Sequence, residues 1–123
     1  MNNRFKFRVW DKLAERMIYP HNDNQQHFII DLNGRFHNLQ NGSGGDDYVI
    51  QQYTGLTDNN DDPIYEGDLI RGMFDFGPTG FSELMLPVCW HNIDGYQWNY
   101  WNLSTIEVIG NAYEHKELLK KYE

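Results

Sequence analysis

The densest group of carboxylates lies at residues 58–62, where three aspartates and two asparagines stand together. The stretch begins like an EF-hand calcium loop, with Asp or Asn at the first, third and fifth ligand positions. That loop also needs Gly at position six and a bidentate Glu at position twelve, where this chain has Pro63 and Leu69. The pattern therefore predicts a polar turn whose Asp and Asn side chains bond nearby backbone, and no metal site.

The five histidines are spread along the chain without the short spacing of a metal-ligand pair. His27 and His37 flank an Asn-Gly pair and could face each other across two strands, which makes a two-ligand site geometrically possible. Two imidazoles without a supporting carboxylate bind a metal weakly. Paired exposed histidines are the favoured interpretation, and no metal or other cofactor is expected.

Cys89 and His91 are the best candidates for nucleophilic catalysis, since a strand would project both from one face at about 7 Å between their Cα atoms. Nothing nearby supplies the Gly-rich or helix N-terminal donors of an oxyanion hole, and a free cysteine is most often simply buried. The serines fit no nucleophile-elbow pattern, and the chain has no Walker or dinucleotide-binding fingerprint. No catalytic residue is predicted, and a hydrolase is the least favoured class.

Aromatic side chains are concentrated at Trp90, Tyr96, Trp98, Tyr100 and Trp101. In a strand, Trp98 would share one face with the two tyrosines, and Trp101 would take the other. Either face could be a stacking platform for bases or sugars, or an anchor for a protein partner. The alternative is that one face closes a small barrel, and it is favoured because few Leu, Val and Ala are available for a core.

The net charge of −8 lies in the second half of the sequence. Residues 58–110 contain nine carboxylates and a single cation, Arg71, whereas the segments on either side are neutral. Such a field repels phosphates and attracts a cationic patch on a partner. Solubility alone is the alternative explanation. The candidate interaction surface consists of Asp58, Asp61, Asp62, Asp75, Trp98 and Trp101.

The first predicted strand carries a row of cations, Arg4, Lys6 and Arg8, that alternate with apolar residues. If the row faces solvent, it could follow the phosphates of a single-stranded nucleic acid. It could also meet the acidic half of a second copy, which would make the chain a homo-oligomer. A solvated strand face is the plainer alternative.

Composition favours a β fold, because two alanines occur against thirteen asparagines. The pair Asn33-Gly34 predicts a hairpin with a type I′ turn, and Asp94-Gly95 marks a second hairpin. Residues 41–47 are predicted to be a flexible joint, and residues 114–122 a short helix. Apolar patterns predict strands at 5–10, 17–19, 27–32, 35–39, 48–53, 64–71, 84–91, 96–103 and 106–109.

With 123 residues the chain is expected to form one domain. Its hairpin part ends near residue 40, a barrel-like part covers about 48–110, and the helix closes the chain. A single cysteine excludes an internal disulfide. Because no apolar run is long enough for a membrane span or a signal peptide, a cytoplasmic protein is predicted.

Three stretches together resemble the YopX family of small bacteriophage and prophage proteins. They are residues 5–11 with 17–19, residues 52–58 running into 64–70, and residues 107–114 with 117–119. The Gln-Tyr-Thr-Gly-Leu and Ile-Tyr-Glu-Gly-Asp pair is specific, and the order and spacing match over essentially the whole chain. The chain departs from the family at His115-Lys116, where an Asn-Pro pair usually precedes the final helix.

The resemblance implies a phage gene product in the cytoplasm of a bacterial host, and it brings no catalytic or ligand residues. Its signature consists of turn glycines and apolar residues, and its Gly-Asp pair resembles the strand entry of small SH3-like barrels. Such a signature specifies a fold more than an active site. The predicted core residues within it are Tyr53, Leu56, Ile64, Tyr65, Leu69 and Ile70.

We therefore expect a mainly β fold, in which N-terminal hairpins join an SH3-like, partly open barrel with a short C-terminal helix. The expected function is that of a phage accessory protein that binds a host or phage protein. Single-stranded nucleic-acid binding is the second hypothesis, and a hydrolase is a distant third.

Overall fold

The computed structural model of the chain describes residues 6–19, 28–39, 42–91, 93, 95–96 and 98–117. Within these ranges the backbone is mainly β, as the composition predicts, with a curled half-barrel sheet and short 3₁₀ turns. In chain order the strands are β1 (Phe7–Asp11), β2 (Arg16–Ile18), β3 (Phe28–Ile30), β4 (Phe36–Asn38), β5 (Tyr48–Thr57), β6 (Pro63–Tyr65), β7 (Asp68–Asp75), β8 (Phe81–Pro87) and β9 (Glu107–Asn111).

The described strands form three antiparallel sheets, with the orders β2-β1-β5-β6, β3-β4 and β8-β7-β9. The register shifts between Tyr53 and Thr57 in the β5–β6 pair, and between Leu69 and Ile70 in the β7–β9 pair. Gly55, inside the first shift, has a φ of 92°, which favours glycine. Such irregularities bend a strand and increase its twist, which curls the sheets.

The hairpin predicted around Asn33-Gly34 is confirmed, but its turn type is wrong. The last strand pair is Ile30 with Phe36, so the connection is five residues long rather than two. Within it the Asp31 carboxylate accepts two backbone N–H groups, at 2.9 and 3.0 Å. A type I′ turn needs two successive residues with positive φ, and here only Gly34 of the connection has one. The Asp31 side chain therefore stabilises a wider loop.

The strand predicted at 64–71 is divided by a turn at residues 66–67. The β6 part joins the first sheet and the β7 part joins the last one. Gly67 has a φ of 86°, and the Asp68 carboxylate accepts the Tyr65 N–H at 2.8 Å across the turn. The Glu-Gly-Asp signature is thus the corner at which the chain passes between two sheets.

The second predicted hairpin, of residues 84–91 with 96–103, is wrong. Strand β8 ends at Pro87, and the later segment contains 3₁₀ turns instead of a strand. Trp101 makes an isolated bridge with Phe74 of β7, and the two rings meet edge to face with centroids 5.2 Å apart. Aromatic packing against β7 therefore takes the place of a strand ladder.

The remaining predicted elements are placed as follows. The final strand predicted at 106–109 is confirmed as β9, and the joint at 41–47 contains a 3₁₀ turn directly before β5. Of the helix predicted at 114–122, residues 116–117 are helical, and those beyond 117 lie outside the described residues. Among the described segments, no helix is long and apolar enough to span a membrane.

Among the described residues, buried side chains form two apolar clusters, and aromatic rings complete both of them. Five of the six predicted core residues are buried, and Leu56 is half-buried. The first cluster contains Ile64, Ile70, Val88 and Ile106, with Leu56, Tyr96, Trp98, Trp101 and Val108 packed against it. The second contains Val9, Ile18 and Phe36, with Phe28, Ile30, Tyr48 and Ile50.

Candidate functional site

Asp58 of the predicted interaction surface lies inside the protein, 5 % exposed. One carboxylate oxygen accepts the N–H groups of Asn60 and Asp62, each at 2.9 Å. The other accepts the N–H of Val108 in β9, also at 2.9 Å. The predicted polar turn is confirmed, but Asp58 as a surface residue is wrong, because its carboxylate fastens the turn to β9.

The other aspartates of the predicted surface lie apart from each other. Asp61 and Asp62 are exposed in the turn, whereas Asp75 ends β7 and accepts the Gly77 N–H at 2.8 Å. The turn is fastened, through Asp58, beside a point on β7 about five residues, or roughly 16 Å, from Asp75. The exposed pair Asp61 and Asp62 and the half-buried Asp75 therefore lie at two places rather than in one patch.

Arg8 of the predicted basic row is buried and paired. Its guanidinium lies 2.7 Å from the Asp68 carboxylate, and the two side chains are 4 % and 2 % exposed. It donates to Gln51 Oε1 at 2.6 Å and to the Glu66 carbonyl at 3.3 Å, and it lies over the Tyr65 ring, 4.8 Å from the centroid. An outward-facing Arg8 is therefore a wrong prediction, because β1 lies between two strands and is covered on both faces.

The two other cations of the predicted row have different positions. The Lys6 ammonium lies over the Tyr53 ring, 4.9 Å from its centroid. Arg4 lies outside the described residues. Lys6 therefore lies directly before β1 with a ring contact of its own, and Arg8, in its buried pair, is not available to a phosphate backbone.

The groups around Arg8 form an enclosed cluster. Burial raises the pKa of Asp68, against the opposing effect of the guanidinium, and burial raises the pKa of Tyr65 to about 12. The Tyr65 hydroxyl and Gln51 Nε2 have no hydrogen-bond partner among the described residues. A Cβ at Gly67 would lie 2.6 Å from that Nε2, so glycine is needed for the close approach. The cluster joins β1, β5 and the Glu-Gly-Asp corner, and its groups are shielded from solvent.

A cleft of about 640 Å³ opens on the face of β7 and β8. Two strand residues that pair across the sheet, Ile70 and Leu86, form part of its wall. The aromatic rings in its lining are Phe74, Tyr96, Trp98, Tyr100 and Trp101. We call it the aromatic cleft.

Trp98 and Trp101 contribute both to the core and to the cleft, the two positions that the sequence left open for the aromatic residues. Each is half-buried and packs against the first core cluster, and each also lines the aromatic cleft. Tyr100 is 61 % exposed, with its ring 5.9 Å from that of Phe74. Trp90 is 56 % exposed and meets Tyr96 edge to face at 4.9 Å. The aromatic segment therefore closes the core with one side and presents apolar surface to solvent with the other.

Cys89 and His91 both line this cleft, and both are exposed. Their predicted strand is wrong, because β8 ends before them and His91 makes only an isolated bridge with Gly95. No hydrogen bond joins the Cys89 and His91 side chains. The arrangement lacks the contact through which a base activates a nucleophile.

His37 of the predicted histidine pair bonds to a carboxylate instead. Its Nε2 lies 2.9 Å from Asp31, and the pKa of Asp31 is lowered by this hydrogen bond and by the backbone N–H groups that it accepts. His27 lies outside the described residues. Within the described ranges, no three His, Cys, Asp or Glu side chains are grouped as metal ligands.

Comparison with known proteins gives a family match and a similar solved structure, and each covers nearly the whole chain. A family model described as YopX protein matches residues 6–120, as the resemblance implied. The chain is similar to the crystal structure of protein EF1440 from Enterococcus faecalis, with a TM-score of 0.56 and 25 % sequence identity. That similarity covers 93 % of this chain and 96 % of the other. No curated protein matches the sequence.

Proposed function

The chain belongs to the YopX family, and we propose that it is a phage- or prophage-encoded accessory protein that acts by binding another protein rather than by catalysis. The observation that carries this proposal is the aromatic cleft. Binding sites are typically concave, with a volume of roughly 300–1,000 Å³ and a lining of apolar and aromatic side chains. Trp and Tyr are also the residue types that contribute most binding energy at protein interfaces.

Charge favours a protein ligand over a nucleic acid. The sequence has no Lys or Arg between Arg71 and Lys116, and the described lining of the cleft also contains none. Single-stranded nucleic acids are bound by stacking rings together with cations that follow the phosphates. Since Arg8 is held in a buried pair, β1 does not supply such a row.

The side chains at the cleft favour binding over catalysis. Cys89 and His91 are exposed and not bonded to each other, whereas a catalytic pair needs a base within hydrogen-bond reach of the nucleophile. The titratable groups with pKa values most changed by burial, Asp68 and Tyr65, lie in the enclosed cluster. The ionisable groups with pKa values shifted by burial therefore do not line the aromatic cleft.

Peptide selection tests the proposal. Short random peptides displayed on a carrier are selected on the purified protein, and the recovered peptides are labelled with fluorescein for anisotropy. We expect Tyr100→Ala to raise their Kd about 30-fold, which corresponds to about 2 kcal/mol for an interface anchor. Leu32→Ala is the matched control, because Leu32 is an exposed apolar residue in the β3–β4 loop.

Two results would contradict the proposal. Peptides that bind Tyr100→Ala and the unsubstituted chain equally would mean that the cleft is not the binding site. Labelled oligo-dT that binds at low salt and is lost in Tyr100→Ala would make the cleft a nucleic-acid site instead.

A further inference from the structure

Strand β8 is the edge of its sheet, and the backbone groups on its outer side have no strand partner among the described residues. The order β8-β7-β9 leaves the outer edge of β8 without a neighbour among the described strands. Beyond the two ends of β8, Val88 donates to the Asp68 carbonyl, and Phe76 donates to the Gly80 carbonyl. Both bonds follow the register of the β7–β8 ladder.

That register decides which backbone groups face outward. In an antiparallel ladder, hydrogen-bonded pairs alternate with non-bonded ones. Because the bonded pairs fall on even-numbered residues of β8, its odd-numbered residues direct their N–H and C=O groups away from β7. The outward N–H donors are those of Phe81, Glu83 and Met85, whereas Pro87 has none. No described residue accepts a hydrogen bond from these three donors.

The free edge runs into the aromatic cleft. Leu86, Pro87 and Val88 line the cleft where β8 ends, and Leu86 is 40 % exposed. A strand added beside β8 would lie about 4.8 Å away, with alternate side chains on the cleft face of the sheet. One apolar side chain of that strand could then enter the cleft while its backbone continued the ladder.

The negative charge of Glu83 favours a basic partner strand over a second copy of this chain at the β8 edge. Glu83 is an exposed carboxylate at the centre of the three outward donors. Phe81 is exposed as well, whereas Met85 is 5 % exposed. Asp75 pairs with Phe81 at one end of the strand. A second copy pairing antiparallel through all three donors would set Glu83 opposite Glu83, and like charges directly opposite each other are destabilising. A partner strand with Lys or Arg at that position gains a favourable cross-strand pair instead.

We propose that the outer edge of β8 is a docking edge for an extended segment of a protein partner, which adds as a further strand. The segment carries a Lys or Arg opposite Glu83 and an apolar side chain for the aromatic cleft. Main-chain hydrogen bonds supply affinity in this mode of recognition, and the side-chain pocket supplies specificity. The inference rests on the proposed function, since it specifies how the partner of the cleft binds.

The test uses the fluorescein-labelled peptides selected above and two substitutions at one position. Glu83→Pro removes an outward N–H that the ladder with β7 does not use, so an edge strand tolerates it. Glu83→Gln keeps that N–H and removes the charge. We expect the Kd to rise about tenfold or more for Glu83→Pro and about threefold for Glu83→Gln. Urea unfolding verifies that both variants are folded.

A second measurement does not depend on the folding of any variant. Each backbone N–H of a selected peptide is methylated in turn, and binding to the unsubstituted protein is measured. An added strand predicts losses at every second position, because only alternate N–H groups face β8. A flat profile together with unchanged binding of Glu83→Pro would overturn the inference. If binding still depends on Tyr100, the proposed function stands, and otherwise both fail.

Self-association is the remaining outcome. Analytical ultracentrifugation of the unsubstituted chain is expected to show no dimer that depends on the β8 edge. A dimer that dissociates in Glu83→Pro would make a second copy the occupant and overturn the proposal of a heterologous partner.

Discussion

Replacing Arg8 by Met removes the cation from the enclosed cluster while keeping much of the side-chain volume. In the intact protein the guanidinium contacts the Asp68 carboxylate at 2.7 Å and donates to Gln51 Oε1 at 2.6 Å. After the substitution, Asp68 keeps the Tyr65 N–H, at 2.8 Å, as a donor. A carboxylate that is 2 % exposed is then left without its counter-ion.

The expected cost is large for a chain of this size. Removing one partner of a buried ion pair typically costs about 3–5 kcal/mol, because the remaining charge stays desolvated. The total free energy of unfolding of a small domain is about 5–15 kcal/mol. With a denaturant dependence of about 2 kcal/mol per molar urea, the midpoint of Arg8→Met should fall by about 2 M. Lys6→Met is the control, since Lys6 lies directly before β1, and loss of its cation–π contact should cost no more than about 1 kcal/mol.

A double-mutant cycle separates the ion pair from the packing of the Arg8 stem. Arg8→Met, Asp68→Asn and the double variant are compared by urea unfolding followed through tryptophan fluorescence. Because the double variant leaves no unpaired buried charge, its loss should be smaller than the sum of the single losses by about 2 kcal/mol. Additive losses would mean that the two side chains are not coupled.

The pH dependence of the free energy of unfolding gives a further test of Arg8→Met. Burial raises the pKa of Asp68 and Arg8 opposes the shift, so deletion of Arg8 should raise this pKa further. A folded-state pKa above the unfolded value means that stability is present at low pH and is lost as the pH rises through the folded pKa. The loss of unfolding free energy in Arg8→Met, relative to the unsubstituted chain, should therefore become smaller as the pH falls from 7 to 4. A loss below about 1 kcal/mol, or a deficit independent of pH, would refute the buried-pair assignment.

Two other predictions concern buried polar groups. Asp58→Ala should lower the free energy of unfolding by about 3 kcal/mol, because three N–H groups lose a charged acceptor, whereas Asp62→Ala should stay within about 0.5 kcal/mol. Equal losses in urea unfolding would contradict the fastening role of Asp58. Tyr65→Phe should leave stability unchanged or raise it by about 1 kcal/mol, since the hydroxyl has no described partner. The Tyr65 pKa of about 12 lies above its ordinary value of 10.0, so stability present below pH 10 should be lost towards pH 12, and the Phe variant should lack that component.

Strands were predictable from the sequence where one apolar run lies between turn residues and forms one continuous strand. The hairpin of β3 with β4 and the final strand β9 follow from short apolar runs between turn residues. The interrupted strand at Glu66 and Gly67 was not predictable from the apolar pattern, because both halves of 64–71 are buried and read as one run. The glycine of the family signature indicates a turn here, but the assignment of the two halves to different sheets depends on tertiary pairing.

Arg8 shows why an alternating pattern can assign a charged side chain to the wrong face. Alternation of polar and apolar residues predicts one buried face, on the premise that the other is solvated. Strand β1 has a strand on each side, and its residues 8–11 are all buried, so the premise does not hold. The compensating carboxylate, Asp68, lies sixty residues later, and its identity depends on tertiary contact rather than on local pattern.

The carboxylates of residues 58–110 likewise show that tertiary contacts decide which charges are available for function. Five of the described carboxylates between residues 58 and 110 have structural partners, and one of them, Asp75, accepts the Gly77 N–H. Asp58 and Asp68 are buried, Glu66 accepts from the Gln52 N–H and the Tyr96 hydroxyl, and Glu107 pairs with Arg71. A count of charges gives a carboxylate that fastens backbone the same weight as one that faces solvent. The carboxylates available to attract a partner are therefore fewer than the sequence suggests, and Glu83, which is exposed on the outer edge of β8, is one of them.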